Sequence, residues 1–171
     1  MDIKLGWNNY GANDPEREAF KRDKNLMRRK LGFSLDALVL NSYHGVTMKK
    51  AEFVDMDLVQ LSQYFGKYLG QAGEHTDKLL KAILEDLNTI KETLHDSENK
   101  FRLYGTSIII QFDKSQLDSE LKSYRMTLID FEHVVVVDPK DLEGDQNVVF
   151  GLKRLIEGFT EAGKGAAGQD N

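Results

Sequence analysis

The 171-residue sequence has no cysteine, two prolines and one tryptophan. Without cysteine, disulfides and thiolate metal sites are excluded, and the expected setting is a reducing one, the cytoplasm or nucleus. No stretch approaches the ~20 consecutive apolar residues that span a bilayer. The start, Met1-Asp2-Ile3-Lys4, lacks the basic and apolar regions of a secretory signal. Neither sign of charge dominates: 28 acidic against 23 basic residues give a net charge of −5. That balance argues against general nucleic-acid affinity but allows a local basic patch. The four histidines, His44, His75, His95 and His133, are too scattered to suggest a metal cluster by themselves. What is present, 40% hydrophobic and 30% charged residues, suits one globular core. We expect a single domain over residues 1–161, a flexible Gly- and Ala-rich tail over 162–171, a monomer, and no nucleic-acid or membrane partner.

Along the chain, a short extended piece leads into a Gly- and Asn-rich loop ending at Asn13. Asp14-Pro15 then makes a good helix start, the acid as N-cap and the proline in the first turn, with the helix reaching Leu31 and stopping at Gly32. Leu35 to Tyr43 reads as a buried strand turning at His44-Gly45. Residues 55–70 read as short helical pieces broken at Gly66 and Gly70. From Thr76, Leu79, Leu80, Ile83, Leu84, Leu87, Ile90 and Leu94 recur at helical spacing. Phe101 to Phe112 and Tyr124 to Phe131 are β-rich runs joined by a polar segment, which predicts an antiparallel pair. Val134 to Val137 is a further apolar run, and a last amphipathic helix covers Asn147 to Phe159. The fold class is therefore α+β, a small, mostly antiparallel sheet packed with helices.

Three constellations have chemical potential, and each has a plainer reading beside it. Asp2 and Lys4 alternate along an extended segment and so share a face, where they are able to orient a hydroxyl and hold a phosphate; equally, they fit an incidental surface pair at a chain end. On the helix after Pro15, Arg17, Lys21, Lys24 and Arg28 form a stripe beside Phe20, Met27 and Leu31, well placed to line an anion pocket. Glu16, Glu18 and Asp23 partly neutralise it, as on an ordinary solvated face. In Leu128-Ile129-Asp130-Phe131-Glu132-His133 an acid arrives at the end of an apolar strand. A carboxylate shielded there needs compensation, by a metal ion that wants oxygen donors or by service as a cap to the next turn.

Taken in order, these pieces resemble the inositol polyphosphate kinase family. Asp2-Ile3-Lys4-Leu5-Gly6 matches the D-x-K-x-G part of its P-x-x-x-D-x-K-x-G signature. Leu31-Gly32-Phe33 resembles its L-G-F, and Tyr64 to Leu69 resembles its Y-G-R-x-L segment. Thr106-Ser107-Ile108-Ile109 stands where the family has S-S-L-L, and Ile129 to His133 where it has I-D-F-A-H. Asp145 to Leu152, with Leu155-Ile156, resembles the start of its closing helix. The resemblance spans residues 2 to 159. It implies ATP-dependent phosphorylation of an inositol phosphate with Mg²⁺. Asp2 would orient or deprotonate the attacking hydroxyl and Lys4 would contact a phosphate. Asp130 would hold the metal, and Ser107 would help place the metal or the nucleotide phosphates. His133 would touch the inositol phosphate, and Lys21, Arg22, Lys24 and Arg28 would supply further phosphate contacts. The signature proline would fall ahead of Met1, so the chain is expected to be the C-terminal lobe without most of the ATP-binding lobe and to turn over poorly alone. A non-catalytic inositol phosphate-binding module and a purely structural interaction fragment remain as alternatives.

Overall fold

Ile3 and Leu5 alternate with Asp2 and Lys4, and in the computed structural model that alternation is a strand, β1 (Asp2–Leu5), with Ile3 and Leu5 fully buried. The structure describes residues 1–6, 26–40, 45–96, 101–131, 133–136 and 146–166. The N-terminal part of the helix expected after Pro15 lies outside them, together with Lys21, Arg22 and Lys24. Its end is present as α1 (Leu26–Leu31). As expected, it stops at Gly32, whose φ of +70° suits glycine.

The sheet continues with β2 (Phe33–Leu40) and β3 (Val46–Lys49), then with β5 (Ser107–Gln111) and β6 (Arg125–Ile129), in the order β3-β2-β1-β5-β6. A separate two-stranded sheet joins β4 (Phe101–Tyr104) to β7 (His133–Val136). All strand pairs among the described residues are antiparallel, as the sequence predicts. The Phe101 to Phe112 run is nevertheless two strands in two sheets, divided at Gly105 and Thr106.

Three long helices follow among the described residues: α2 (Leu58–Gly70), α3 (Thr76–His95) and α4 (Gln146–Ala166). Asp57 caps α2 by accepting from the Gln60 amide at 2.8 Å, while the Gln60 side chain accepts from the Asp57 amide at 3.0 Å. Gly66 does not break α2, contrary to the fragmented reading. Burial of Leu61, Phe65, Tyr68 and Leu69 outweighs the ~1 kcal/mol that a mid-helix glycine costs. Phe65 stacks on Phe159 of α4 with ring centroids 4.5 Å apart. α4 also runs through Ala166, with Ala162 buried, so the first part of the expected tail is helix. No helix among the described residues is long and apolar enough to cross a membrane.

The helices press on one face of the larger sheet, where Ile3, Leu5, Phe33, Leu35, Leu38, Ile108 and Ile110 are all fully buried. Tyr68 of α2 donates its hydroxyl to the Ile110 carbonyl at 2.8 Å. α4 crosses the end of β1 at a glycine contact. A Cβ on Gly151 would run into the Gly32 carbonyl oxygen, so only glycine admits this approach. The opposite face carries the polar side chains of Asp2, Lys4, Ser34 and Ser107 together with Ile109 and Ile129.

Candidate functional site

The register determines which side chains share that polar face. Lys4 lies between Ser34 of β2 and Ser107 of β5, and Asp2 is paired with Ile109 and Ala37. Between Asp2 and Ile3 the β1–β2 pairing shifts, leaving Asp36 as an extra residue on β2. Asp36 accepts from Ser34 Oγ at 2.8 Å and is paired with Lys50 at 2.9 Å. Neither Asp36 nor Lys50 stands out in the sequence. Asp36 interrupts the apolar run of β2, the one available signal, but without the bulge its side cannot be assigned.

Asp130 follows β6 directly and reaches the same face. Lys4 Nζ donates to Asp130 Oδ2 at 3.2 Å, and Ser107 Oγ donates to the same oxygen at 3.4 Å. Residues 126 positions apart in sequence thus meet in one ion pair. Asp130 departs from expectation in one respect: it is 48% exposed rather than shielded, because it lies past the ladder in the turn after Ile129. Lys4 compensates it, and an exposed pair of this kind contributes only about 0–1 kcal/mol.

Asp2 is the more desolvated acid. Its Oδ1 is buried with no hydrogen-bond partner among the described residues. Burial first, then the negative charge of Asp36, raises its pKa above the ordinary carboxylate value, with Lys4 pulling the other way. A carboxylate so placed is a better proton acceptor than a solvated one.

Arg28 does not join this group. It is only 2% exposed, donating from Nε to the Gly6 carbonyl at 2.8 Å and from Nη2 to the Leu5 carbonyl at 2.7 Å. The expected phosphate contact is therefore replaced by a tie between α1 and the end of β1. Its place on the helix explains the difference, since Arg28 lies three positions before buried Leu31 and so shares its side of the helix. His133 opens β7 in the smaller sheet, exposed and opposite Tyr104.

The donor set fits a hard divalent cation. Asp130 and Ser107 present oxygens side by side, one of them a half-exposed carboxylate. Among the described residues no three His, Cys, Asp or Glu side chains gather into a metal-binding group. Mg²⁺ typically needs no such cage, taking one or two carboxylates together with waters and substrate phosphates.

An antiparallel sheet backed by helices on one face, with acids, an ammonium and a hydroxyl gathered on the other, defines an α+β domain. The chain belongs to the inositol polyphosphate kinase family, a group of transferases, whose family model matches residues 1–160. Its fold is similar to that of the inositol phosphate multikinase Ipk2 from S. cerevisiae, solved in complex with ADP and Mn²⁺. That likeness has a TM-score of 0.72 at 18% identity and covers 94% of this chain and 76% of the other. A second inositol phosphate multikinase structure gives a TM-score of 0.67 at 17% identity, over 94% of this chain and 78% of its own. No curated protein sequence matches the chain at a significant level.

Proposed function

We propose that this chain serves ATP-dependent phosphorylation of an inositol phosphate, as the part that holds the substrate and the metal. The observation behind this reading is the convergence of Asp2, Lys4, Ser107 and Asp130 on one face of the sheet, from two strands and the turn after a third. Asp2, with its unpartnered oxygen and raised pKa, accepts the proton of the attacking hydroxyl. Lys4 spans from Asp130 towards the incoming phosphate and places positive charge where negative charge accumulates. Asp130 and Ser107 would hold Mg²⁺, which neutralises charge on the transferred phosphoryl group when bound. Lys21, Arg22, Lys24 and His133 are assigned the remaining substrate phosphates, on the family resemblance. The setting proposed is the cytoplasm or nucleus.

Phosphate transfer from ATP to a panel of inositol phosphates, with products separated by anion exchange, tests the reaction. Titration calorimetry with inositol hexakisphosphate at two salt concentrations tests the pocket separately. Binding should weaken steeply with salt, because several phosphates are neutralised together, and should fall in Lys4→Met. Salt-independent binding, or equal affinity in Lys4→Met, would remove the site from this face.

A further inference from the structure

The ribbon made by Phe101–Gln111 and Arg125–Val136 passes from the smaller sheet to the larger one and slips register on the way. Tyr104 is opposite His133 on one side of the crossing, and Ser107 is opposite Ile129 on the other. Between these pairs one strand has Gly105 and Thr106, while the other has positions 130, 131 and 132, one residue more. An extra residue on one side of an antiparallel pair bends the strand and re-aims a side chain. Asp130 stands in this bulge with φ of +64°, in the left-handed region that non-glycine residues seldom occupy. Such a conformation persists only where its surroundings hold it.

Thr106 is in position to do so. It is fully buried, and its Oγ1 donates to the Asp130 carbonyl at 3.4 Å. Its own carbonyl accepts from the Leu5 amide at 2.8 Å. One residue therefore touches both the backbone that bears the site acid and the strand that carries Lys4. The two side chains meet at the far end of this connection, as Lys4 Nζ and Asp130 Oδ2.

We propose that Thr106 is a positioning residue whose buried hydroxyl fixes the left-handed bulge at Asp130 and so aims that carboxylate at Lys4, Ser107 and a bound divalent cation. The cation part rests on the function proposed above; the backbone part does not. The test compares the parent with Thr106→Val, which keeps the shape and loses the donor, and Thr106→Ser, which keeps the donor. In metal-free, isotope-labelled protein, the Asp130 Cα and Cβ chemical shifts report its backbone conformation. Mn²⁺ alone is then titrated and followed by paramagnetic broadening of signals around Asp130. Thr106→Val is expected to move the Asp130 shifts away from left-handed values and to weaken Mn²⁺ about tenfold, as loss of a ligand's supporting bond does. Thr106→Ser should preserve both. Unchanged Asp130 shifts in Thr106→Val, or a Thr106→Ser variant as perturbed as Thr106→Val, would overturn the proposal. If Thr106→Val does not fold, Thr106→Ala, which also lacks the donor, makes the same comparison. A parent that binds no Mn²⁺ would refute the cation part, while the Asp130 shifts still decide the role of Thr106.

Discussion

Arg28 is where a basic stripe and a buried structural cation make opposite predictions. Arg28→Met keeps much of the apolar stem and removes the guanidinium, so the Leu5 and Gly6 carbonyls lose their donors inside the protein. Hydrogen bonds from a charged donor are worth about 1.5–3 kcal/mol each, so losing both should destabilise the fold by roughly 3–5 kcal/mol. For a chain of this size that lowers the melting temperature by on the order of 10 °C. Arg28→Lys should also be strongly destabilised, because one ammonium cannot reproduce the guanidinium fork that reaches two carbonyls at once. Circular dichroism melts measure the stability, and calorimetry with inositol hexakisphosphate on the folded variant measures the anion site. Lys21→Ala and Lys24→Ala should show the reverse pattern, with melting unchanged and affinity reduced. An Arg28→Met protein that melts within about 2 °C of the parent and loses anion binding would refute this reasoning and return Arg28 to the pocket.

In Asp130→Asn, phosphate transfer should collapse in any form of the protein that turns over, while the thermal stability of this chain shifts by less than about 1 kcal/mol, since the lost pair with Lys4 is exposed; near-normal turnover would discard the metal-ligand role. Gly151→Ala should cost about 3 kcal/mol or more, because its Cβ meets the rigid Gly32 carbonyl, whereas Gly70→Ala, with open space around it, should be neutral or stabilising by about 0.5 kcal/mol; chemical denaturation of both variants checks the contrast. Asp2 has a folded-state pKa above its ordinary value, so the folded state binds its proton more readily than the unfolded chain, and the stability contributed by Asp2 falls as pH rises through that window. Asp2→Asn should therefore raise the melting temperature at pH 7 relative to the parent and lose that advantage towards pH 3; an equal difference at both values would show that Asp2 is not desolvated.

Strand and helix identity were largely legible because burial here follows simple periods. The Ile3 and Leu5 alternation and the helical spacing from Leu79 to Leu94 each leave one compatible element. Gly66 was misleading because intrinsic helix preference is weaker than the burial of Leu61, Phe65 and Tyr68 around it. Arg28 was misleading for a related reason: a helical stripe gives the direction of a side chain but not what the rest of the chain brings up against it. Leu5 and Gly6 arrive there from more than twenty residues away, and no local pattern announces them.

Asp130 shows the same limit at the site itself. Its carboxylate at a strand end was visible in the sequence, but the exposure was not, since exposure depends on where the ladder gives out. β6 stops pairing at Ile129, and the register slip between the two sheets puts the next residue in a bulge. If the ladder continued without a slip, residue 130 would point to the face opposite Ile129, the face that buries Ile108 and Ile110 against the helices. The left-handed turn instead carries the carboxylate back to the polar face, within reach of Lys4. A one-residue irregularity thus decides whether this acid is a buried liability or half of an open ion pair with Lys4, formed where the strands change sheets.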